Sequence, residues 1–196
     1  TKAIQEKVIL SEEEVHYSTR FSCVRYGNIV GSRGSVVPFF KSLIERNEPL
    51  PITDAAMTRF LLTLDQAIDL VFYATVHMKH QEIFIGKAGA STILELAKTM
   101  SKHLTGRDDY PMTDVGIRPG EKMHEVLVSE EEMQRTREED NYFVIYPYDH
   151  YTKTCNEGNA SWFRRQTDRV EYTSANTNRL DTEALLTKLR DSGWIK

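Results

Sequence analysis

Residues 21–47 read FSCVRYGNIVGSRGSVVPFFKSLIERN, and the order of residue types in this stretch indicates an α/β protein. The β-branched and aromatic residues up to Asn28 predict a buried strand. Two glycines follow and predict a loop, after which the apolar residues from Ser35 onward recur at helical spacing. Pro38 fits the first turn of that helix, where its missing N–H is not needed. We therefore expect a strand, a glycine loop and a helix in direct succession.

The alternation of strands and helices continues towards both ends of the chain. Further helices are predicted in TKAIQEKVILSEEEV, LDQAIDLVFYATVHMK, TILELAKTMSKHL, SEEEMQRTREED and DTEALLTKLRDSGW. Further strands are predicted in LPIT, TRFLLTL, EIFIGK, TDVGI, MHEVLV and YFVIYP. The polar segment Tyr148–Asn178 is typical of a long loop or extended arm. The pattern predicts a partly parallel sheet, in which the strands Phe21–Asn28 and Glu82–Gly86 lie parallel. In the helix LDQAIDLVFYATVHMK the residues expected to face the core are Ala67, Leu70, Val71 and Ala74.

Composition excludes several classes of function. The 196 residues include 40% hydrophobic residues, enough for a core, and a net charge of −4 gives no general attraction to nucleic acid or to anionic membranes. No apolar run approaches the ~18 residues of a membrane span. Cys23 and Cys155 lie far apart and form no disulfide or metal framework, which favours a reducing, cytoplasmic location. His77 and His80 are interpreted as a polar helix end rather than a metal site.

The strand–loop–helix junction is the first of three elements that could recognise a nucleotide. Asn28 lies at the carboxyl end of the predicted strand, the edge at which open α/β sheets bind ligands. Gly31 and Gly34 allow backbone N–H groups to approach a ligand closely, and the helix N-terminus adds partial positive charge. A plain structural junction is an equally good interpretation of this stretch taken alone.

The other two elements carry arginine. Arg59 begins an apolar strand in PITDAAMTRF, where a lone arginine is more often part of a surface ion pair. In residues 112–125, MTDVGIRPGEKMHE, Pro119 and Gly120 predict a sharp turn that presents Arg118 and Glu121 in a set geometry. Arginine can bind a diphosphate in a fork, and glutamate can accept hydrogen bonds from two ribose hydroxyls. Together the three elements predict a site for a nucleoside diphosphate.

Five stretches carry a family resemblance. RYGNIVGSRGSVVPFF, PITDAAMTRF, EIFIGK, GIRPGEKMHEVL and EYTSANTNRL occur in this order over nearly the whole chain. They resemble the C-terminal portion of the UDP-N-acetylglucosamine 4,6-dehydratases, lyases of the extended short-chain dehydrogenase/reductases that serve capsule, flagellin-glycan and related polysaccharide pathways. The inverting branch is the most similar. The segment Tyr148–Arg169, which includes Arg164, is less distinctive and receives no role.

The resemblance implies the domain organisation and the cofactor. Residues 1–105 would form the last part of an NAD(P)-binding Rossmann-like domain, interleaved with substrate-binding segments at about 30–60. Residues 106–196 would form the substrate-binding domain with a C-terminal arm and helix. Lys2 would be the lysine of a Tyr-x-x-x-Lys pair and contact the nicotinamide ribose. The complete enzyme would use NADP, or NAD, whereas this chain would bind neither. Its opening inside a predicted helix indicates a piece of a longer protein, inactive alone.

The resemblance also implies a role for each substrate-binding residue. Asn28 would contact the phosphate–sugar portion, Arg59 and Arg118 would clamp the diphosphate, and Glu121 would hold the uridine ribose. The residues implied on the uridine side are Ser35, Val36 and, at the uracil, Thr53. A UDP-sugar is therefore the expected ligand.

Two other interpretations of function stay open. The chain could be a stand-alone, non-catalytic UDP-sugar-binding or assembly module, or part of a UDP-sugar 4-epimerase. We also expect a homo-oligomer, because nothing in this chain is predicted to cover the apolar face of its first helix, formed by Ile4, Val8 and Ile9.

Overall fold

The computed structural model describes residues 2–11, 19–79, 81–157 and 170–196. The helices are α1 (Lys2–Leu10), α2 (Val36–Glu45), α3 (Leu64–His77), α4 (Ile93–Thr105), α5 (Glu130–Met133), α6 (Tyr148–Asn156) and α7 (Thr182–Asp191). The strands are β1 (Cys23–Arg25), β2 (Asn28–Ile29), β3 (Leu50–Ile52), β4 (Thr58–Leu62), β5 (Ile83–Gly86), β6 (Ala90–Thr92), β7 (Met112–Asp114), β8 (Val126–Val128), β9 (Thr136–Glu138), β10 (Tyr142–Ile145) and β11 (Tyr172–Thr173). The predicted α/β class is confirmed. His80 and Arg164, and with them part of the predicted arm, lie outside the described residues.

The chain divides into two compact units, each assembled from three segments. The first unit comprises Thr1–Tyr26, Asp65–Lys87 and Leu127–Tyr172. The second unit comprises Gly27–Leu64, Ala88–Val126 and Thr173–Lys196. The predicted domain boundary between residues 105 and 106 refers to the domains of the family that the sequence resembles, not to these compact units. It stays a prediction.

The first unit contains a four-stranded sheet with the order β1-β5-β10-β9. β1 pairs with β5 in parallel, as predicted, and β10 is antiparallel to both of its neighbours. α3 packs on this sheet through Leu70 and Ala74, which belong to one buried apolar cluster with Phe84 on β5. Val71, which was also expected to face inward, is exposed, so that prediction is wrong. α3 is apolar on more than one side, and only the position of the sheet decides which side is covered.

Arg25 anchors α1 within the first unit. Its guanidinium binds the carboxylate of Glu6 on α1 at 2.6–2.7 Å and the carboxylate of Glu132 on α5 at 2.7–2.8 Å. Burial works to raise the pKa of Glu132, but the hydrogen bonds from Arg25 and Ser129 and the charge of Arg25 outweigh it and lower that pKa. No residue of α1, from Lys2 to Leu10, is buried. Ion pairing rather than apolar packing therefore holds this helix.

The second unit is built around α2, α4 and α7. Phe40, Leu96, Met100 and Leu189 form part of its core and are almost fully buried. In its small sheets β2 is parallel to β4, β4 is antiparallel to β6, and β3 is parallel to β7. α7 begins at a capping aspartate, as predicted, because the Asp181 carboxylate accepts a hydrogen bond from the Ala184 N–H at 2.8 Å.

The strand predicted to run from Phe21 to Asn28 is two strands instead. β1 ends at Arg25 and β2 begins at Asn28, and they pair with different partners. Gly27 lies between them, so close to Phe60 that an added Cβ would stand 2.2 Å from the Phe60 Cβ. The break therefore occurs where only glycine fits against β4.

Three predicted elements in the later part of the chain are also corrected. The polar helix predicted in SEEEMQRTREED is limited to α5, and its second half is β9, which pairs with β10. The strand predicted in TDVGI ends at Asp114, and Gly116 has a φ of +72°. The predicted arm begins with α6, a nine-residue helix. Where the structure describes helices, none is both long enough and apolar enough to cross a membrane.

Candidate functional site

The second unit contains a cavity of about 560 Å³. The residues predicted to bind substrate that line this cavity are Asn28, Ser35, Val36, Thr53, Arg59, Arg118 and Glu121. They come from four separate parts of the chain: the β2–α2 junction, the end of β3, β4 and the turn after β7. The structure thus brings together every residue predicted to bind substrate, whereas the role of each stays a prediction. Lys2 is exposed on α1, in the first unit.

The glycine loop between β2 and α2 forms one wall of the cavity. Gly31 and Gly34 both line it and both have a φ of +76°, a conformation that favours glycine. An added Cβ on Gly31 would lie 1.5 Å from the Nε1 atom of Trp194, whereas one on Gly34 would meet nothing within 4 Å. Trp194 therefore supports this wall, and Gly31 is required by contact as well as by conformation.

The N-terminus of α2 opens on the same wall. Ser35 occupies the N-cap position with an extended backbone, yet its side chain makes no capping hydrogen bond. Its Oγ atom is buried and has no hydrogen-bond partner among the residues that the structure describes. The first N–H groups of a helix lack intrahelical acceptors and carry partial positive charge. This end of α2 can therefore bind an anion or a polar ligand.

Arg59 on β4 is mostly buried, with 15% of its side chain exposed. Nη1 donates to the carbonyl oxygens of Thr58 at 2.7 Å and Met123 at 3.3 Å, and Nη2 donates to the Met57 sulfur at 3.2 Å. Its Nε atom lies 3.7 Å from a carboxylate oxygen of Glu125. The alternative of a surface ion pair is thus only partly correct, since a pair exists but the arginine is held inside the unit. These hydrogen bonds use three of the five donors that a guanidinium offers.

Unlike Arg59, which is mostly buried, the turn at Arg118–Glu121 is exposed to solvent. The N–H of Glu121 donates to the Arg118 carbonyl oxygen at 3.0 Å, and Gly120 has a φ of +86°. Proline at the second position and a positive φ at the third are the features of a type II turn. The predicted sharp turn is therefore confirmed. It places an arginine and a carboxylate at the cavity.

Two contributions to this region were missed by sequence reasoning. Trp194 was interpreted only as the end of a helix, and its contact with Gly31 joins residues more than 160 positions apart. Ser174, in the quoted but unassigned stretch EYTSANTNRL, bonds to Thr58 beside Arg59. No local sequence pattern indicates such long-range contacts. The one available signal for Ser174 was that EYTSANTNRL is among the stretches that carry the family resemblance.

A family model described as "Polysaccharide biosynthesis protein" matches residues 1–147. The chain belongs to the polysaccharide biosynthesis protein family. This match confirms the resemblance on which the site residues were chosen.

Individual relatives of this family member carry two different activity names. A UDP-glucose 4-epimerase of Rickettsia bellii is 36% identical over 202 residues, which cover 100% of this chain and 57% of the relative. A UDP-N-acetylglucosamine 4,6-dehydratase (inverting) of Campylobacter jejuni is 41% identical over 150 residues, which cover 75% of this chain and 43% of the relative. The chain therefore spans about half the length of the curated relatives it matches.

A solved structure agrees with the fold. The "X-ray structure of Pen from Bacillus thuringiensis" superposes with a TM-score of 0.83 at 29% identity and covers 100% of this chain and 56% of that chain. Together with the family match, this likeness confirms the predicted fold, part of an extended short-chain dehydrogenase/reductase.

Proposed function

We propose that this chain is the UDP-sugar-binding part of a UDP-N-acetylglucosamine 4,6-dehydratase of surface polysaccharide biosynthesis. One observation carries the proposal: the seven residues that the family resemblance assigns to substrate all line one cavity. These residues come from four parts of the chain and combine two arginines, a carboxylate and a helix N-terminus, which are groups suited to a nucleoside diphosphate.

The cavity's charges suit a nucleoside diphosphate. Beyond the three donors already used, Arg59 keeps one Nη2 donor for a ligand, while its Nε faces the Glu125 carboxylate at 3.7 Å. Arg118 adds a second guanidinium from an exposed turn, so the two together can fork onto a diphosphate. Glu121 offers acceptors for the ribose hydroxyls, and Ser35, which also lines the cavity, is proposed on the uridine side.

The reaction proposed for the complete enzyme needs NADP or NAD, which would carry hydride away from the sugar and return it. Of this chain's residues, Lys2 alone is predicted to hold that cofactor. Its exposed ammonium group can donate to ribose hydroxyls. No GxGxxG motif is present in this sequence. We therefore propose that the 196-residue chain alone does not turn over substrate. A cytoplasmic location also remains a prediction.

A UDP-sugar 4-epimerase is the second candidate. The Rickettsia epimerases resemble this chain over 93–100% of its length, compared with 75% for the Campylobacter dehydratases. The product of the complete enzyme separates the two candidates. NMR of the reaction mixture would show a 4-keto-6-deoxy sugar for a dehydratase. For an epimerase it would show the 4-epimer, which keeps its 6-hydroxyl group.

Binding by the chain itself tests the proposal directly. Calorimetric titration with UDP, without NADP, should give micromolar to millimolar affinity, because a few charge-assisted bonds act against the entropic cost of association. Uridine, which lacks the diphosphate, should bind much more weakly. Failure to bind UDP at millimolar concentration, or equal affinity for UDP and uridine, would refute a diphosphate site. A stand-alone binding module would give the same titration, but the complete gene would then encode no dinucleotide-binding loop.

A further inference from the structure

The position of Arg59 depends on two segments that are distant in the sequence. Its guanidinium donates to the carbonyl of Thr58 on its own strand and to the carbonyl of Met123, and it pairs with Glu125. The first acceptor belongs to β4, and the other two belong to the segment just before β8. Any change in the distance between these segments would therefore move the guanidinium.

Ser174 bonds to both segments at once. Its N–H donates to the carbonyl oxygen of Glu125 at 2.8 Å, and its Oγ accepts from the N–H of Glu125 at 2.9 Å. The same Oγ donates to the carbonyl oxygen of Thr58 at 3.1 Å and lies 2.7 Å from the Thr58 Oγ1. Ser174 is fully buried and is not part of the cavity wall. One hydroxyl thus joins the two groups between which Arg59 is held.

Only one assignment of the hydrogens allows the hydrogen bonds among His124, Thr58 and Ser174 to form at the same time. His124 Nδ1, 2.8 Å from the Thr58 Oγ1, can donate to that hydroxyl, which donates in turn to the Ser174 Oγ. The Ser174 hydrogen then goes to the Thr58 carbonyl, which also accepts from Arg59. A buried hydroxyl with all of its bonds made is rigid, because breaking one bond leaves a polar group without a partner.

We propose that Ser174 is a positioning residue for Arg59: together with the hydrogen bond that the Thr58 N–H donates to the Met123 carbonyl oxygen at 3.0 Å, its hydroxyl sets the spacing between β4 and the Met123–Glu125 segment, and so the placement of the guanidinium at the cavity. The consequence for ligand binding rests on the proposed function, whereas the consequence for the arginine itself does not. Ser174 would therefore affect recognition of the diphosphate without touching it.

Ser174→Ala tests the positioning without any ligand. The readout is the Nε–Hε NMR signal of Arg59, assigned by its loss in Arg59→Lys. We expect this signal to shift or to broaden away in Ser174→Ala, because the Thr58 carbonyl that accepts from Arg59 loses its bond to the Ser174 hydroxyl. Ser101→Ala is the matched control, since Ser101 is also a buried serine of the second unit but its hydroxyl donates to the Lys98 carbonyl within α4, away from Arg59. An unchanged Arg59 signal in Ser174→Ala would overturn the inference.

Ligand affinity provides the second measurement. Ser174→Ala should weaken UDP binding by about tenfold, the equivalent of one charge-assisted hydrogen bond, and leave uridine binding unchanged. If the wild-type chain binds no UDP, the proposed function fails while the NMR result still decides the positioning. If UDP affinity is unchanged although the NMR signal moves, the link to the ligand is overturned.

A second variant distinguishes a general folding defect from a specific loss of the Arg59 position. Ser174→Cys keeps a hydrogen-bonding group at this position, although a larger and weaker one, so we expect the same NMR change to a smaller degree. Circular dichroism checks that each variant is folded. If neither Ser174→Ala nor Ser174→Cys folds, Ser174 is a general structural residue and the positioning role is rejected.

Discussion

The backbone N–H of Arg118 donates to a carboxylate oxygen of Glu121 at 3.0 Å, and the N–H of Glu121 donates to the carbonyl oxygen of Arg118, also at 3.0 Å. The two residues proposed to bind diphosphate and ribose therefore close their own turn from both sides. One carboxylate oxygen of Glu121 is used in this way, and the other makes no hydrogen bond with the residues that the structure describes. The exposed turn is thus ordered before any ligand arrives, which lowers the entropic cost of binding.

Replacing Arg118 by lysine should weaken UDP binding by about tenfold, because lysine keeps the charge but cannot form the two parallel bonds of a fork. Calorimetric titration measures the effect. Arg107→Lys is the control, since Arg107 is an exposed arginine of the same unit that pairs with Asp109 and does not line the cavity. Equal affinities for all three proteins would mean that this turn has only a structural role.

Gly120→Ala should reduce UDP affinity while changing the melting temperature little. Gly120 has a φ of +86°, which costs an alanine roughly 1–2 kcal/mol, and the exposed turn can relieve that strain by moving Arg118. Gly106→Ala is matched to it, because Gly106 has a φ of +73° at the end of α4 and likewise has open space at its Cβ. We expect Gly106→Ala to lower the melting temperature and to leave UDP affinity as it is; the reverse ranking would contradict the proposed site.

Gly31→Ala should destabilise the second unit more than Gly34→Ala does. The two glycines share a φ of +76°, so the backbone strain is common to both. Only at Gly31 would the new methyl collide with Trp194, and overpacking of this kind adds about 1–3 kcal/mol to the loss of unfolding free energy. Urea unfolding of both variants measures the difference. In a Trp194→Ala background, Gly31→Ala should cost no more than Gly34→Ala does, and a persisting excess loss would show that the collision is not its cause.

Acid should weaken the first unit through Glu132. The pKa of this carboxyl is lowered from its ordinary value of 4.5, so the native chain holds the proton less tightly than the unfolded chain does. The stabilisation is therefore fully present above pH 4.5 and is lost as the pH falls through the lowered value. We expect the free energy of unfolding to decline less steeply below pH 4.5 in Glu132→Gln than in the wild type. Glu130→Gln, an exposed position on the same helix, should follow the wild type. Parallel pH curves for all three would exclude this contribution.

Exposed apolar residues on α1 and α3 should make the chain associate. Phe72 is 66% and Val76 76% exposed on the outer side of α3, and Ile4 and Val8 are exposed on α1. Such surfaces favour association in water. Light scattering at increasing concentration should show oligomers, and Val76→Asp should reduce them. Val170→Asp is the control, since Val170 is also an exposed valine but lies outside both helices. A monomer at high concentration would contradict the expected homo-oligomer.

The sequence by itself determined the features that depend on neighbouring residues. The sharp turn follows from Pro119 and Gly120, because proline restricts φ and glycine accepts a positive φ in any context. The start of α7 follows from Asp181, whose side chain caps the helix three residues on. The α/β class follows from apolar periodicity, and the seven residues predicted to bind substrate were chosen from the family resemblance that the five sequence stretches carry.

Only the tertiary structure decided which partner each element meets. The stretch Thr136–Glu138 continues a helical pattern but pairs as a strand with β10, because the hydrogen bonds of the sheet outweigh a weak local preference. Val71 faces solvent because the sheet lies on the other side of α3. The joining of Thr58 to Glu125 through Ser174, and the support of Gly31 by Trp194, arise between residues far apart in the chain. No pattern of neighbours encodes such contacts, because they depend on the packing of the whole unit.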